Sequence, residues 1–199
     1  IHSLPVAFYT CDTEGTILLY NTAAAELWGQ SPEIGKDKWC GSFKIFNIDG
    51  SPVELENCPM AIAIKENKKI DGEEFIIQQP NGRTRNVIVY PSPTHNSAGY
   101  LTGAANVIVD ITEKRAIEAL YHKANKLARL GSWEFDLKLN TLYWSEITKE
   151  IHEVPADFEP NIDMALHFYK EGKSRDTITK VVTEAMQYGN NWDVELEIV

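Results

Sequence analysis

Three cysteines are the residues of this chain best suited to covalent or metal chemistry. They are Cys11, Cys40 and Cys58, and no two of them have the Cys-x-x-Cys spacing of a zinc site or a redox motif. Their odd number also argues against a framework of disulfide bonds. We therefore interpret all three thiols as small packed hydrophobic residues in a reducing cytoplasm, and we predict no metal site.

The other polar residues do not form a recognisable catalytic set. The sequence contains no Gly-x-Ser-x-Gly motif, no His-Glu-x-x-His motif and no glycine-rich nucleotide loop. Glu73 and Glu74 are adjacent on a predicted strand, so they point to opposite faces and cannot share a substrate. His122 is followed by Lys123, which leaves no neighbouring acid to activate its imidazole. We expect no catalysis within these residues.

Length and charge fit two acidic domains joined by a basic connector. The 199 residues carry a net charge of −10, yet residues 111–130 hold five basic and only two acidic residues. Acidic flanks argue against binding to nucleic acid, which requires clustered Lys and Arg. No apolar run is long enough for direct membrane insertion. Because the first residue is Ile1, we expect a fragment whose parent could be anchored to a membrane elsewhere.

The basic connector has the pattern of a helix with one narrow apolar stripe. Asp110 and Glu113 have the spacing of a capping box, which predicts the start of the helix, and Gly131 predicts its end. The apolar stripe consists of Ile117, Leu120, Ala124 and Leu127. So narrow a stripe is typical of contact with one other helix, so the connector could pair with its own copy in a second chain. The alternative is a helix packed on one neighbouring domain.

Residues before the connector alternate between strand and helix patterns. Strands are predicted at Val6–Cys11, Thr16–Tyr20, Glu73–Gln79, Arg85–Tyr90 and Gly99–Val109. Helices are predicted at Thr22–Trp28, with Asn21 as the N-cap and Gly29 as the end, and at Pro59–Asn67. The stretch from Ser31 to Pro52 and residues 91–96 are predicted loops.

After the connector the opening pattern recurs, shifted by 124 positions. Trp133-Glu134-Phe135-Asp136 matches Tyr9-Thr10-Cys11-Asp12, and Tyr143-Trp144-Ser145 matches Leu19-Tyr20-Asn21. A predicted helix at Arg175–Tyr188 and a predicted strand at Asp193–Val199 follow the order of the first copy. The sequence therefore predicts an internal repeat.

Residues 1–112 resemble a PAS domain. The resemblance rests on the hairpin with Asn21 capping a short helix, on the three closing strands, and on Asp110-Ile111-Thr112 before a charged helix. It implies an α+β fold with a five-stranded antiparallel sheet and flanking helices in residues 1–112, followed by a connector helix at 113–130. Residues 131–199 are similar to another branch of the superfamily but stop before its last two strands. We expect that domain to be completed by later strands or by another chain.

The resemblance raises the question of cofactors, and we predict neither flavin nor haem. Asn57-Cys58 matches two letters of the flavin-binding light-oxygen-voltage branch, whose cysteine adds to the flavin. However, Pro59 stands where that branch has a phosphate-binding Arg, and Glu54 and Glu56 would repel a phosphate. Haem-binding relatives hold iron through a histidine on the helix matching residues 59–67, and that helix has none.

A pocket for an unknown small molecule is the remaining candidate site. On the last predicted strand Ala104, Asn106 and Ile108 share a face, and if that face is inward Asn106 is a buried amide that needs a partner. That partner could be a ligand, a water or another side chain, or Asn106 could face solvent. Further wall candidates are Trp39, Met60 and Tyr90.

The resemblance implies a tandem sensory region of a bacterial signalling protein. A downstream histidine kinase is favoured over a diguanylate cyclase, with a homodimer formed through the connector helix. The sequence leaves a second class of function open, in which these domains are ligand-free dimerisation and spacing modules.

Overall fold

The computed structural model describes residues 5–199, so the first four residues of the predicted first domain lie outside the described residues. The chain divides into two compact units, Ile1–Glu118 and Ala119–Val199, and each unit is described by itself. One long helix, α3, passes from the first unit into the second.

A seven-stranded antiparallel sheet forms the first unit. Its strands are β1 (Ala7–Cys11), β2 (Ile17–Tyr20), β3 (Lys44–Phe46), β4 (Pro52–Val53), β5 (Glu73–Gln78), β6 (Thr84–His95) and β7 (Leu101–Asp110). Their order across the sheet is β2-β1-β7-β6-β5-β3-β4. The five predicted strands lie side by side, but the predicted count of five is wrong. β3 and β4 are three and two residues long, too short to leave an alternating pattern in the predicted loop.

The strand β6 runs five residues past its predicted end at Tyr90. Pro91 and Pro93 predicted a loop there, yet they pair with Asn106 and Ala104 of β7. Proline is tolerated because β5 pairs with β6 only as far as Val89. Beyond that point β6 has one strand neighbour, so a proline nitrogen on the open side removes no ladder hydrogen bond.

The hairpin of β1 and β2 leads directly into a capped helix, as predicted. Helix α1 (Thr22–Trp28) begins at Asn21 and ends at Gly29, whose φ of 70° is left-handed. The Asn21 Oδ1 atom accepts hydrogen bonds from the backbone N–H groups of Ala24 and Phe8, both at 3.0 Å. The cap therefore also fixes α1 against the first strand.

Two helices cover the buried face of the sheet. Besides α1, these are α2 (Pro59–Lys65), preceded by a 3-10 turn at Leu55–Asn57. The predicted helix ran to Asn67, but the chain leaves the helix at Glu66 and Asn67 has a left-handed φ of 49°. The core lies between these helices and the sheet and includes Tyr9, Ile17, Trp28, Met60 and Val87.

The helix α3 (Thr112–Ala128) starts differently from the prediction. The Asp110 carboxylate accepts a hydrogen bond from the Thr112 N–H at 2.8 Å. Glu113 lies in the first turn, but among the described residues no side-chain hydrogen bond joins it to Asp110. The predicted capping box is therefore wrong. Asp110 is the last residue of β7 and lies two residues before Thr112, the first residue of α3, whereas a capping box needs the residue directly before the helix.

The end of α3 also lies before the predicted position. The helix stops at Ala128 because Arg129 adopts a left-handed φ of 50°, and the Leu130 N–H bonds back to the Asn125 carbonyl. Gly131 is needed for a different reason. A Cβ at that position would lie 2.7 Å from the Thr148 hydroxyl oxygen, so only glycine fits there without displacing a neighbour.

The apolar stripe of α3 is exposed to solvent. Ile117, Leu120 and Leu127 are 60%, 68% and 79% exposed, and none of the residues of α3 is buried. The predicted stripe therefore exists as an uncovered surface of a single chain.

The second unit has a hairpin and three helices. Its elements are β8 (Trp133–Asp136), β9 (Thr141–Trp144), α4 (Glu146–Ile151), α5 (Ile162–His167) and α6 (Lys173–Tyr188). Trp133 pairs with Trp144, which is 124 positions after the pair of Tyr9 and Tyr20. Ser145, 124 positions after Asn21, caps α4 by accepting from the Thr148 N–H.

The predicted strand at Asp193–Val199 is wrong. This segment makes a single bridge, between Ile198 and Tyr169. The backbone of Lys170 and Val199 adds two hydrogen bonds beside that bridge. A β-strand needs a ladder partner, and here neither β8 nor β9 supplies one to this segment.

An aromatic cluster fills the core of the second unit. The His152 ring stacks on Trp144 with centroids 4.6 Å apart and lies 5.0 Å from the Phe168 ring. Its Nδ1 atom is buried and has no hydrogen-bond partner among the described residues. Burial among these rings lowers the pKa of His152, because the charged imidazolium would lose its hydration.

Replacing Asn21 with Ala is expected to lower the free energy of unfolding of the first unit by about 2–3 kcal/mol. The change removes an N-cap and takes away the side-chain partner of the Phe8 N–H in β1 and of the Val6 carbonyl just before it. Urea denaturation would measure it. Thr22→Ala is the matched control, since Thr22 is exposed in the same helix and its loss should cost under about 0.5 kcal/mol. Equal effects of the two substitutions would contradict the role of Asn21.

The second unit is expected to lose stability as the pH falls below about 6.5. The pKa of His152 is lower in the folded chain than in the unfolded chain, so the unfolded state binds more protons in this range. His152→Phe should flatten the profile between pH 7 and 5. The measurement is the thermal midpoint followed by tryptophan fluorescence, with His122→Phe on exposed α3 as the control. An unchanged profile in His152→Phe would refute this assignment.

Candidate functional site

A small cavity lies between the sheet of the first unit and α2. Its volume is about 20 Å³, which is room for about one water molecule. The walls are apolar except for five residues with polar or thiol groups. These are Tyr9, Cys40, Ser42, Cys58 and Asn106. No acidic or basic side chain of the described residues lines the cavity, so it suits uncharged groups only.

Asn106 is the buried amide at the back of the cavity. Strand alternation places it on the inner face of β7 between Ala104 and Ile108, and only 3% of it is exposed. Its Oδ1 accepts from the Tyr90 N–H at 3.0 Å, and its Nδ2 donates to the Tyr9 hydroxyl at 3.4 Å. Of the alternatives left open by the sequence, the structure shows a buried amide bonded to the protein itself.

The hydroxyl of Tyr9 extends this network across the cavity. Tyr9 is almost fully buried and donates to the Trp39 carbonyl oxygen at 2.9 Å. Burial, and to a smaller extent the neighbouring thiols, raise the pKa of Tyr9 well above its ordinary value. The phenol therefore stays neutral and keeps its proton for donation to Trp39. The sequence did not predict this hydrogen-bonding role, because its pattern placed Tyr9 only in a strand.

Trp39 takes part through its backbone rather than its ring. Its φ of 66° is left-handed, an unfavourable conformation for a bulky residue that turns its carbonyl toward Tyr9. The ring covers Gly15, where a Cβ would lie 2.2 Å from it, and Lys65 lies 5.7 Å above the ring. The prediction of Trp39 as a wall side chain is therefore wrong, because its ring lies outside the cavity lining.

Of the remaining residues predicted to line the pocket, two line the cavity and one does not. Met60 on α2 and Ile108 on β7 are buried and line the cavity. Tyr90 is only half-buried and does not line it, so that prediction is wrong. Val87 and Val89 occupy the inner positions of β6, so alternation turns the Tyr90 ring to the other face, beside Gly72.

Two thiols face the cavity, and both are held neutral. Burial raises the pKa of Cys58 to about 12 and also raises the pKa of Cys40, whose thiol donates to the Ser42 hydroxyl at 3.1 Å. Cys11 lies nearby, and burial raises its pKa as well. Neutral thiols are poor nucleophiles, so the chemistry of these cysteines is that of small apolar side chains.

The lining residues do not fit flavin or haem. Cys58 precedes α2 directly, and the next residue, Pro59, has no side-chain donor for a flavin phosphate. No histidine lines the cavity among the described residues, so it offers no imidazole ligand for haem iron. Over residues 5–199, no group of three His, Cys, Asp or Glu side chains is placed to hold a metal ion. Nor does any helix in this range have the length and apolarity to cross a membrane.

The strand that carries Asn106 connects the cavity to α3. Ile108 lines the cavity, and two residues later Asp110 caps the first turn of α3. The backbone of Asn86 on β6 holds this junction. Its N–H donates to the Thr112 hydroxyl at 2.9 Å, and its carbonyl oxygen accepts from the Ile111 N–H at 2.8 Å. The end of β7 and the start of α3 are thus fixed to the neighbouring strand.

Tyr9→Phe is expected to lower the free energy of unfolding of the first unit by about 1–3 kcal/mol. The variant keeps the ring but leaves the Trp39 carbonyl with only the Cys11 thiol, 3.9 Å away, as a donor, and it weakens the pairing of the Asn106 amide. Tyr100→Phe is the matched control, because Tyr100 is 72% exposed and its loss of the hydroxyl should change little. Chemical denaturation of both variants would test this, and equal stabilities would show that the network contributes nothing.

Comparison with known proteins identifies the fold family of the first unit. The family model described as "PAS fold" matches residues 1–116. No curated protein matches the sequence.

Several solved PAS domains are similar to the chain. The PAS domain of BvgS from Bordetella pertussis is 23% identical, with a TM-score of 0.41, over 63% of this chain and 91% of that one. A PAS domain from Colwellia psychrerythraea is 19% identical, with a TM-score of 0.42, over 56% and 91%. The PAS domain of the fruit-fly ELK potassium channel is 16% identical, with a TM-score of 0.44, over 54% and 87%.

The family model covers more than half of the chain, and the antiparallel sheet with its flanking helices agrees with that match. The chain belongs to the PAS family, whose domains are sensory and signalling modules.

Proposed function

We propose that this chain is the sensory and dimerisation region of a cytoplasmic signal-transduction protein, with a sensor histidine kinase as the favoured parent. The first unit senses a small molecule or a partner, and α3 passes the resulting shift to the output domain. The observation that carries the proposal is the direct connection from the cavity through β7 into α3. A diguanylate cyclase is the alternative parent.

In the proposed mechanism, a short segment of β7 connects the cavity to the start of α3. Asn106 and Ile108 line the cavity, and Asp110 and Thr112 follow on the same chain within six residues. An occupant that changes the hydrogen bonds of Asn106 must shift β7 or break its pairing with Tyr90. Either change alters the start of α3, so an occupant that favours one arrangement of the helix shifts its population.

We infer the class of ligand that this sensor would take from the residues that line the cavity. Charged molecules are disfavoured because the lining offers no opposite charge to a desolvated ion. A ligand larger than water must displace a wall residue, and Met60 is the most adaptable, since its side chain has three rotatable bonds. We therefore propose a small uncharged ligand with one hydrogen-bonding group, and no flavin or haem.

We further propose that the second unit is another, incomplete copy of the first. Support comes from two matched features at the same shift of 124 positions: the hairpin register and the residue that caps the following helix. Catalysis would lie elsewhere in the parent. His122 on α3 is exposed, but the adjacent Lys123 supplies no base to its imidazole.

A ligand-free spacing and dimerisation module is the second candidate function. It is favoured by the hydrogen bonds of the core, because the Asn106 amide already has protein partners on both its oxygen and its nitrogen. In that case the first unit contributes shape and stability, and α3 alone carries the contact with a second chain.

Hydrogen exchange of α3 distinguishes these two functions. Asn106→Leu keeps the number and branching of the side-chain heavy atoms but removes the cavity hydrogen bonds, so a sensor should show at least about tenfold faster exchange in the first turns of α3, equivalent to about 1.4 kcal/mol. Val107→Ala is the control, because Val107 faces outward on the same strand. Native mass spectrometry of the purified chain should show a bound molecule that Asn106→Leu loses.

Protection of α3 that stays the same in Asn106→Leu, together with no retained molecule, would overturn the sensor proposal in favour of the spacing module. If Asn106→Leu does not fold, Met60→Ala provides the same comparison. It enlarges the cavity without leaving a buried polar group unpaired.

A further inference from the structure

We propose that the first unit has a small-molecule site separate from the cavity beside Asn106, and that this site binds a free α-amino acid with an apolar side chain. The site is a groove between α1, the start of β1, the start of β6 and the end of β7. Its volume is about 340 Å³, which lies within the usual range of small-molecule sites, roughly 300–1,000 Å³. The cavity beside Asn106 has room for only about one water molecule.

Arg85 is the basic residue of the groove, and its guanidinium lacks an acceptor. Strand alternation places Arg85 on the inner face of β6, and only 31% of its side chain is exposed. Its Nε atom is buried and has no hydrogen-bond partner among the described residues. Its Nη1 atom lies 3.6 Å from the Oδ2 atom of Asp110, which is too far for a hydrogen bond. The groove therefore favours a ligand that brings an acceptor to Arg85.

A carboxylate is the acceptor that best fits this guanidinium. The guanidinium group is planar and offers pairs of parallel N–H groups, which bind the two oxygens of a carboxylate together. Both the charge and the geometry of the group are then used. We therefore expect the ligand to place a carboxylate against Arg85.

Two acidic residues line the same groove and disfavour a ligand that is only an anion. Glu26 is exposed on α1, and the Asp110 side chain at the end of β7 is 37% exposed. Together with Arg85 they give the lining one positive and two negative charges. A simple carboxylate would meet a net repulsion there, whereas a ligand that also has an ammonium group meets opposite charges on both groups. Adjacent carboxylate and ammonium groups are the arrangement of a free α-amino acid.

The rest of the lining is apolar and indicates the kind of side chain. Leu27 of α1 and Ile108 of β7 are buried, and Ala23 of α1 leaves space beside them. No further polar side chain of the described residues lines the groove. An aliphatic side chain of the ligand would lose water contact against this wall, which is favourable.

The groove also lies beside the start of α3. Asp110 lines it and accepts a hydrogen bond from the Thr112 N–H at 2.8 Å, which holds the first residue of the helix. An amino acid bound to Asp110 would therefore contact the residue that holds the start of α3. Binding here needs no ligand in the cavity, although Ile108 lines both.

Titration calorimetry of the chain with three related probes tests the ligand class. L-Leucine has both charges, isocaproate is leucine without the ammonium group, and isoamylamine is leucine without the carboxylate. We expect L-leucine to bind with a dissociation constant of about 0.1–1 mM, because the ligand is small and the groove is partly exposed. Isocaproate and isoamylamine should each bind at least about tenfold more weakly, since each loses one charge pair.

Substitutions in the groove test the residues. Arg85→Gln should weaken the binding of L-leucine at least about tenfold, because an amide replaces the charged pair of donors. Arg83→Gln is the matched control and should leave the affinity unchanged, since Arg83 is exposed in the same hairpin and does not line the groove. If Arg85→Gln does not fold, Glu26→Gln provides the test on an exposed helix position. It should weaken the binding of L-leucine but strengthen that of isocaproate.

The possible results separate this site from the proposed cavity sensor. No saturable binding of L-leucine up to about 10 mM would overturn the amino-acid site. Equal affinities for isocaproate and L-leucine, or an affinity for L-leucine that survives Arg85→Gln, would also overturn it. All three results leave the cavity sensor intact, because that proposal is tested by Asn106→Leu. Loss of L-leucine binding in Arg85→Gln but not in Arg83→Gln supports the amino-acid site.

Discussion

The arrangement of the first unit depends on the hydrogen bonds of one buried side-chain amide, that of Asn106. Asn106 lies at the centre of an otherwise apolar face, where an unpaired amide would cost several kcal/mol, roughly 2–7 by transfer measurements. Its bonds to the Tyr90 N–H and the Tyr9 hydroxyl connect β7 to its two neighbouring strands. The hydroxyl then reaches the strained backbone of Trp39. A single polar group thus fixes the positions of three strands and one loop.

Local patterns predicted much of this fold because most of its elements carry their own signals. Asn21 and Gly29 bound a helix that the structure contains at the predicted residues, and the five longer strands alternate clearly. The errors arise where distant neighbours decide the outcome. Pro91 lies in a strand because β5 does not extend beside it, and the segment after Asp193 stays outside a sheet because no strand lies beside it.

The candidate site was predictable only in part, for a similar reason. Asn106 stood out as the one polar residue on an apolar face, and Met60 and Ile108 followed from helix and strand position. Tyr9 had no such signal, because its importance comes from a carbonyl thirty residues away. The left-handed backbone of Trp39, which aims that carbonyl, depends on packing against Gly15 and cannot be read from residue type.

The prolines of β6 have a consequence for the behaviour of the molecule in crowded solution. Beyond Val89 this strand has no strand neighbour on one side, and such edges can recruit strands from other molecules. The carbonyl of Pro91 points outward, where it accepts from the Ile70 N–H. The nitrogens of Pro91 and Pro93 face the same side and have no hydrogen to offer. An incoming strand would find the Pro91 carbonyl already bonded to Ile70 and no N–H at either proline, so this edge resists aggregation while remaining part of the sheet.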